Sequence, residues 1–398
     1  MSKSICTFHE KYLSLSLKTE TMKILFLTYH GFDPASGITK KMQAQIKGLR
    51  QNGHEVHVCS YSYAPNGHLC RVIDDAVLKD YGRGLRAAIS QRMGYGCIYD
   101  FCVAEKIELV YARSYMNATP PLVSFFRKLR KAGIRCVMEI PTYPYDFEFK
   151  AYDWNQRMRL RVDQMFRRQL AAQMNGIVTF SDEETIFGQR TIRISNGVDL
   201  DMIPLHRVVA DTTKEVHVIA VAEVHSWHGF DRFIHGLGRY YEKTVSRRVF
   251  LHIVGEVWPA EMEGSSAAPG FAPYIRQYGI ADYVIFHGKL FGEALDEVFD
   301  KCSFAVGSLA RHRSGITVIK TLKNREYASR GIPFVYSEQD SDFDHQPYVM
   351  KVPADESPVD VEAVLQFADH CHIPPQDIRR TVEHLSWKNQ MQQVIDNV

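Results

Sequence analysis

The sequence is short of several features that would mark it as something other than a soluble globular protein. Its 48 Lys and Arg nearly cancel 46 Asp and Glu, leaving a formal charge of +2, so no global basic field argues for nucleic acid. Eight cysteines run from Cys6 to Cys371 without one Cys-x-x-Cys pair. That spacing excludes a zinc frame of the common type and reads as reduced thiols. No apolar run approaches the roughly 18–20 residues of a membrane span. The first 21 residues lack the apolar stretch of a signal peptide, and no solenoid repeat or low-complexity tract is present. A cytoplasmic location is expected.

What the chain does have is 398 residues with 45% hydrophobic content, enough for two domains of about 150–200 residues each. Short β-branched runs alternate with helical stretches throughout. In the first half the strand candidates are 23–29, 54–61, 107–113, 135–141, 176–181 and 191–197, with amphipathic segments at 38–52, 117–132 and 152–174. A polar connection near 198–216 interrupts the pattern. It then restarts with runs at 217–224, 249–256, 283–290, 303–309 and 333–338, and the tail from 358 reads as helices. Runs buried on both faces and separated by helices predict two parallel α/β sheets, each doubly wound. The expected divisions are a loose extension over 1–21, an N-terminal Rossmann-like domain over 22–205, a C-terminal one over 206–375, and a final helix over 376–398.

Ligands on such sheets bind outside the carboxyl ends of the strands, so those ends hold the candidate residues. After the first strand, Gly37 marks a helix entry where amides can approach an anion or a sugar; a plain helix-entry glycine is the alternative. The segment "SLARHRSGITVIKTLKNREYASRGIPFV" (308–335) is richer. A helix is predicted to start near Thr317–Ile319, with Arg311, Arg313, Lys320 and Lys323 around its N-terminus. Cations there oppose the helix dipole unless an anion sits among them. Lys323 and Glu326 lie three apart and share a helix face, which suits a carboxylate for ribose hydroxyls beside a phosphate contact. A solvated charged helix is the alternative.

"GIT-x5-LKNREYASRGIPFV" resembles the donor-site segment of the retaining GT-B glycosyltransferases, family 4 in particular. "SGI" after the first strand, "SNGVD" (195–199), "HIVGE" (252–256), "VIFHGKL" (284–290) and "LSWKNQM" (385–391) follow in the same order. The resemblance implies a GT-B fold of two facing Rossmann-like domains. It also implies metal-independent, retaining transfer from a nucleotide-sugar, a UDP- or GDP-sugar, with no other cofactor. Gly315, Ile316 and Thr317 would line the donor and Glu326 would hold the ribose, while Lys323 and Arg313 are candidates for carrying the leaving diphosphate by their position rather than by a family-wide motif. Two positions depart from the family pattern. Val318 stands where a glutamate touches the donor sugar, and "AEVHSWHG" (222–229) places Glu223 and His228 where the family has an arginine and a lysine. His228 and Gly229 are therefore the donor candidates on that loop, with Arg311 and Lys320 supplying charge from the other.

On the acceptor side, Arg113 and Glu139 follow strand candidates and are placed to steer or activate a hydroxyl. Tyr143 and Tyr145 offer stacking faces, or a packed loop. From 127 to 168 there are eleven Lys or Arg against five Asp or Glu. The basic amphipathic stretch 154–170 suits either core packing or peripheral contact with an anionic membrane carrying a lipid-linked acceptor. The expected activity is hexosyl transfer to a glycan, lipid-linked or glycoconjugate acceptor in surface polysaccharide or glycoconjugate synthesis. Alternatives are a catalytically degenerate GT-B partner protein and a nucleotide-sugar epimerase.

Overall fold

In a computed structural model, residues 21–398 are described apart from 30, 33–35, 115–116, 147–153, 208–211, 246 and 267; residues 1–20 of the expected extension lie outside them. The first half forms β1 (Lys23–Leu27), β2 (Glu55–Tyr63), β3 (Leu69–Ile73), β4 (Ala76–Asp80), β5 (Leu109–Arg113), β6 (Arg135–Ile140), β7 (Gly176–Thr179), β8 (Thr185–Ile186) and β9 (Gln189–Arg193). They make one sheet in the order β4-β3-β2-β1-β5-β6-β7-β9-β8. From β2 to β9 through β1 the pairing is parallel, while β3, β4 and β8 join antiparallel at the edges.

The second half forms β10 (Glu215–Val221), β11 (Arg248–Val254), β12 (Val284–Gly288), β13 (Phe304–Val306), β14 (Phe334–Tyr336) and β15 (Val349–Lys351). Their order is β12-β11-β10-β13-β14-β15, parallel throughout. Central strands such as β5 and β13 are buried at every residue, as a sheet covered by helices on both faces requires. The edge strands are different. In β4 four of five residues are exposed, so no buried run announces it.

On one face of the first sheet, Leu25, Leu27 and Val110 pack with Ile98, Phe126 and Leu129 under helices Gly84–Met93, Gly96–Ala104, Pro120–Lys131 and Trp154–Ala171. On the other, Ile24 and Phe26 meet Met42 and Leu49 of helix Gly37–Gln51, and also Trp387, Met391 and Val394 of the last helix, Trp387–Asp396. The last helix therefore packs on the N-terminal half. Its approach is close: a Cβ on Gly48 would lie 2.7 Å from the Trp387 carbonyl oxygen. The chain thus crosses between the halves twice, and the crossings are laced together. Val198 N–H donates to Leu385 O at 3.0 Å, Trp387 N–H to Val198 O at 3.1 Å, and Ser195 N–H to Gln390 Oε1 at 2.7 Å.

Arg325 anchors the first crossing. Its guanidinium and the Asp340 carboxylate are wholly buried, 2.6 Å apart, and it also bonds Asp342 and, at 2.9 Å, Ser195 Oγ. A buried charge left without its partner costs several kcal/mol, so this set holds helix Leu322–Arg330, the loop after β14 and the crossing in one arrangement.

Three histidines form a row across the second sheet. His217 Nδ1 lies 2.8 Å from His252 Nε2, and His252 Nδ1 lies 2.9 Å from His287 Nε2. Glu215 and Lys301 are the charged neighbours. Burial lowers all three pKa values, and at His252 the neighbouring imidazoles add to it, bringing it to about 4. The denatured chain takes up these protons at higher pH than the fold does. The row's contribution is therefore intact above the ordinary histidine value and lost as pH falls from about 6.5 toward 4. The urea midpoint is expected to fall over that window more steeply in the wild type than in His252→Gln; equal slopes would contradict the assignment.

Candidate functional site

Three loops meet at the carboxyl edge of the second sheet: 222–229 after β10, 307–321 after β13, and 337–344 after β14. Leu309 N–H donates to His228 O at 2.8 Å and Ser337 N–H to Ser308 O at 2.9 Å. The first contact depends on Gly229. It sits at φ +65°, and a Cβ there would lie 2.7 Å from Ala310 Cβ. No other residue fits both the left-handed backbone and the close approach.

The helix carrying Lys323 begins later than the sequence suggested, at Leu322 with Thr321 as N-cap. Val318 makes an isolated parallel bridge to Gln339, with Ile319 N–H to Gln339 O at 3.0 Å and Gln339 N–H to Thr317 O at 2.7 Å. That pairing holds 317–319 extended. Upstream, Arg311–Ser314 forms one 3-10 turn that ends in the left-handed Gly315 at φ +70°, and Ile316 is buried behind it. Neither Thr321 nor Gly229 caps its helix with a side chain. The first amides of helices Phe230–Tyr241 and Leu322–Arg330 therefore lack side-chain acceptors.

Cations gather at these two helix starts. Lys323 Nζ donates to Ser308 Oγ at 3.2 Å and lies 5.5 Å over the Phe230 ring; Arg311 lies 5.9 Å over Trp227. Burial and the Arg311 charge lower Lys323 to about 7. Burial, then Lys323 and Arg311, hold His228 well below the usual histidine value, so its ring is neutral. Its Nδ1 accepts from His225 N–H at 3.0 Å, which puts the ring proton on Nε2. The result is a desolvated cluster of two cations and a neutral imidazole, with the buried Glu338 carboxylate beside Lys323 and Arg311.

Other residues singled out in the sequence have different surroundings. Arg313 is buried between Asp231, at 2.8 Å from both terminal nitrogens, and Glu356, and also donates to Ser226 O at 2.7 Å. It braces the loops, and its charge is already neutralised. Lys320 Nζ lies 3.6 Å from Asp182, and its carbonyl accepts from Asn196, so it spans the two halves. Glu326 Oε1 receives Arg330 at 3.0–3.1 Å, while Arg330 also holds Asp296 at 2.7 Å. It is a partly exposed carboxylate of fixed orientation.

Across the cleft, Gly37 opens its helix behind the Ser36 cap, and a Cβ there meets nothing within 4 Å. Lys40 reaches over to Phe291, 4.5 Å above its ring. Glu139 is not placed as a base. It is wholly buried, receives Gln45 at 2.6 Å and Tyr111, and pairs with Lys41 and Arg113 at 3.3 Å. Burial pushes its carboxyl up, but Lys41, Arg113 and the two hydrogen bonds outweigh that and hold it at about 2. Lys41, which the sequence reading passed over, moves down to about 7 because burial outweighs its share of that carboxylate. Arg113 is spent in the same cluster. Tyr145 is buried with its hydroxyl 2.6 Å from Asp163, and both Tyr143 and Tyr145 meet Phe187 edge-on. Tyr145 is therefore packed, while Tyr143 is half-buried. Among the described residues no group of His, Cys, Asp and Glu is placed to hold a metal ion.

No protein-family model and no curated protein sequence matches the chain. Solved structures do. Sucrose-phosphate synthase from Thermosynechococcus elongatus aligns at TM-score 0.63 and 14% identity, over 94% of this chain and 97% of that one. HepE from Anabaena, in complex with UDP-glucose, aligns at 0.56 and 14%, over 95% and 100%. A Listeria monocytogenes structure assigned as a UDP-N-acetylglucosamine 2-epimerase aligns at 0.50 and 10%, over 93% and 94%. The chain has the GT-B fold. Two parallel sheets facing across a cleft, with the last helix packed back on the first half, are that architecture. Because transferases and an epimerase share it, the GT-B fold alone does not fix the reaction.

The Glu139 cluster yields a test. Replacing Glu139 by Gln leaves Lys41 and Arg113 buried without their carboxylate, and unfolding stability should fall by about 3–5 kcal/mol. Unchanged stability with lost turnover would instead make Glu139 a chemical participant.

Proposed function

We propose that the chain is a retaining glycosyltransferase that moves a hexose-type sugar from a UDP- or GDP-sugar to a glycan, lipid-linked or glycoconjugate acceptor. The observation that carries this is the cradle itself: Lys323, Arg311, neutral His228 and two helix starts without side-chain caps, converging at the carboxyl edge of the second sheet. A sugar–diphosphate bond breaks with negative charge gathering on the leaving phosphate. Fixed donors aimed at that charge lower the barrier without a metal. Lys323 and Arg311 supply the positive charge, His228 Nε2–H supplies a neutral hydrogen bond, and Glu326, fixed by Arg330, takes ribose hydroxyls. The acceptor enters from the Gly37 side, and closure of the two halves excludes water.

The surface over the first sheet fits a work place at the cytoplasmic face of a membrane, in surface polysaccharide or glycoconjugate synthesis. No described helix is long and apolar enough to cross a bilayer. Leu85, Ile89, Trp154 and Met165 are nevertheless exposed among the arginines of helices Gly84–Met93 and Trp154–Ala171, as interfacial contact with anionic lipid requires.

Thermal unfolding with UDP, GDP, ADP and their sugar conjugates tests the reading. A ligand at about a hundred times its Kd adds about 2.7 kcal/mol of stability. One nucleotide is expected to stand out, and Lys323→Met to lose most of its effect. A flat response across the panel would contradict the proposal and favour a degenerate partner protein. Consumption of the donor without acceptor or water attack would favour an epimerase.

A further inference from the structure

Four acids follow β14 in quick succession, and three are neutralised by the fold. Asp340 and Asp342 pair with Arg325, and Asp344 takes Tyr336 and Lys351. Glu338 differs: Lys323 and Arg311 are its charged neighbours, but it is 1% exposed and neither carboxylate oxygen has a hydrogen-bond partner. Asn324, wholly buried on the helix that carries Lys323, has both ends of its amide unpartnered as well. Buried polar atoms are almost always satisfied, and leaving them unmade costs stability. Both lie about the Gly307–Ser308 turn, where a Cβ on Gly307 would meet Asn324 Oδ1 at 2.8 Å and Ser337 N–H, one residue before Glu338, donates to Ser308 O at 2.9 Å. Unsatisfied groups there call for a ligand that completes them.

Their surroundings say which part of a ligand. The bridge of Val318 to Gln339 lays the Glu338 segment along 317–319, the stretch that leads into the helix carrying Lys323. Glu338 feels the charges of Lys323 and Arg311 but its oxygens accept no hydrogen bond from either. A carboxylate repels phosphate, so Glu338 cannot belong to the diphosphate contact. It accepts hydroxyl protons, and its two oxygens suit a vicinal pair.

We propose that Glu338 and Asn324 form the subsite that reads the hydroxyls of the transferred sugar, and that Glu338 sets which sugar the cradle accepts. This rests on the transferase reading of the same cleft. Burial raises Glu338 to about 7, and hydroxyl donors favour its ionised form, so the sugar portion of the donor should release a proton that the nucleotide alone does not.

Titration calorimetry of UDP, GDP and ADP against their glucose conjugates, on wild type, Glu338→Gln and Glu338→Asp, tests it. The quantity read is the ratio of nucleotide Kd to nucleotide-sugar Kd. Glu338→Gln should leave nucleotide affinity within about twofold and lower that ratio by on the order of tenfold or more, as loss of hydrogen bonds to a charged group implies. Glu338→Asp, which keeps the charge but withdraws it by one methylene, should fall between. An unchanged ratio, or nucleotide and nucleotide-sugar affinities falling together, overturns this proposal while leaving the transferase reading standing. Failure of the wild type to bind any nucleotide overturns both.

Discussion

The arrangement of this protein turns on one buried guanidinium. Arg325, enclosed by Asp340, Asp342 and Ser195, ties the donor-side helix to the loop after β14 and both to the segment crossing between domains. An ion set this deep contributes little net stability compared with an apolar core of the same shape. What it does supply is register. Lys323 and Glu326 are its neighbours on the helix, and Glu338 sits two residues before Asp340. A rotation of the helix that spoiled the cradle would also strand the charges of Arg325 and Asp340. The same residues touch the crossing through Ser195, so the cradle and the joint between the halves are mechanically one unit.

That coupling gives the charge pattern its meaning. Much of the second domain's ionic chemistry is closed: Arg313 on Asp231 and Glu356, Arg232 on Asp355, Arg330 on Glu326 and Asp296. Against this background Lys323 stands out, because its neighbours at the helix start are Arg311, the neutral His228 and the Glu338 carboxylate, to which it makes no hydrogen bond. Two cations held close in a desolvated place repel one another, and the protein tolerates the cost. In the proposed reading, a diphosphate brings further negative charge to these cations.

The sheets were legible in the sequence because central parallel strands are apolar on both faces. KILFL and FAV admit no other placement, and their runs fall within a few residues of β1 and β13. The hairpin of β3 and β4 was not legible, since β4 is exposed at Ala76, Val77, Lys79 and Asp80 and bears no burial pattern. For the site, sequence located the loops better than the roles. Arg313 and Lys323 look alike in a linear reading. What separates them is Asp231, 82 residues away, which only the fold brings to Arg313. Glu139 reads as a free carboxylate at a strand end until Lys41 and Tyr111 close around it. Asp163 does the same for Tyr145. The helix start was misplaced for a related reason: the pairing of Val318 with Gln339 is non-local and overrides the local helical signal. Glu338 carries no sequence signal beyond its place after a strand, and its burial without a partner is visible only in three dimensions.

The central claim is that the nucleotide-sugar sits on the second domain's loops, at the starts of helices Phe230–Tyr241 and Leu322–Arg330. Amide hydrogen exchange with and without saturating nucleotide-sugar tests it most directly, because bound phosphate engages the backbone amides of those segments. The account predicts slowed exchange over 225–230 and 309–324, with helices Gly84–Met93 and Trp154–Ala171 unchanged. Protection confined to the first domain, with both loops exchanging as in the free protein, would contradict it.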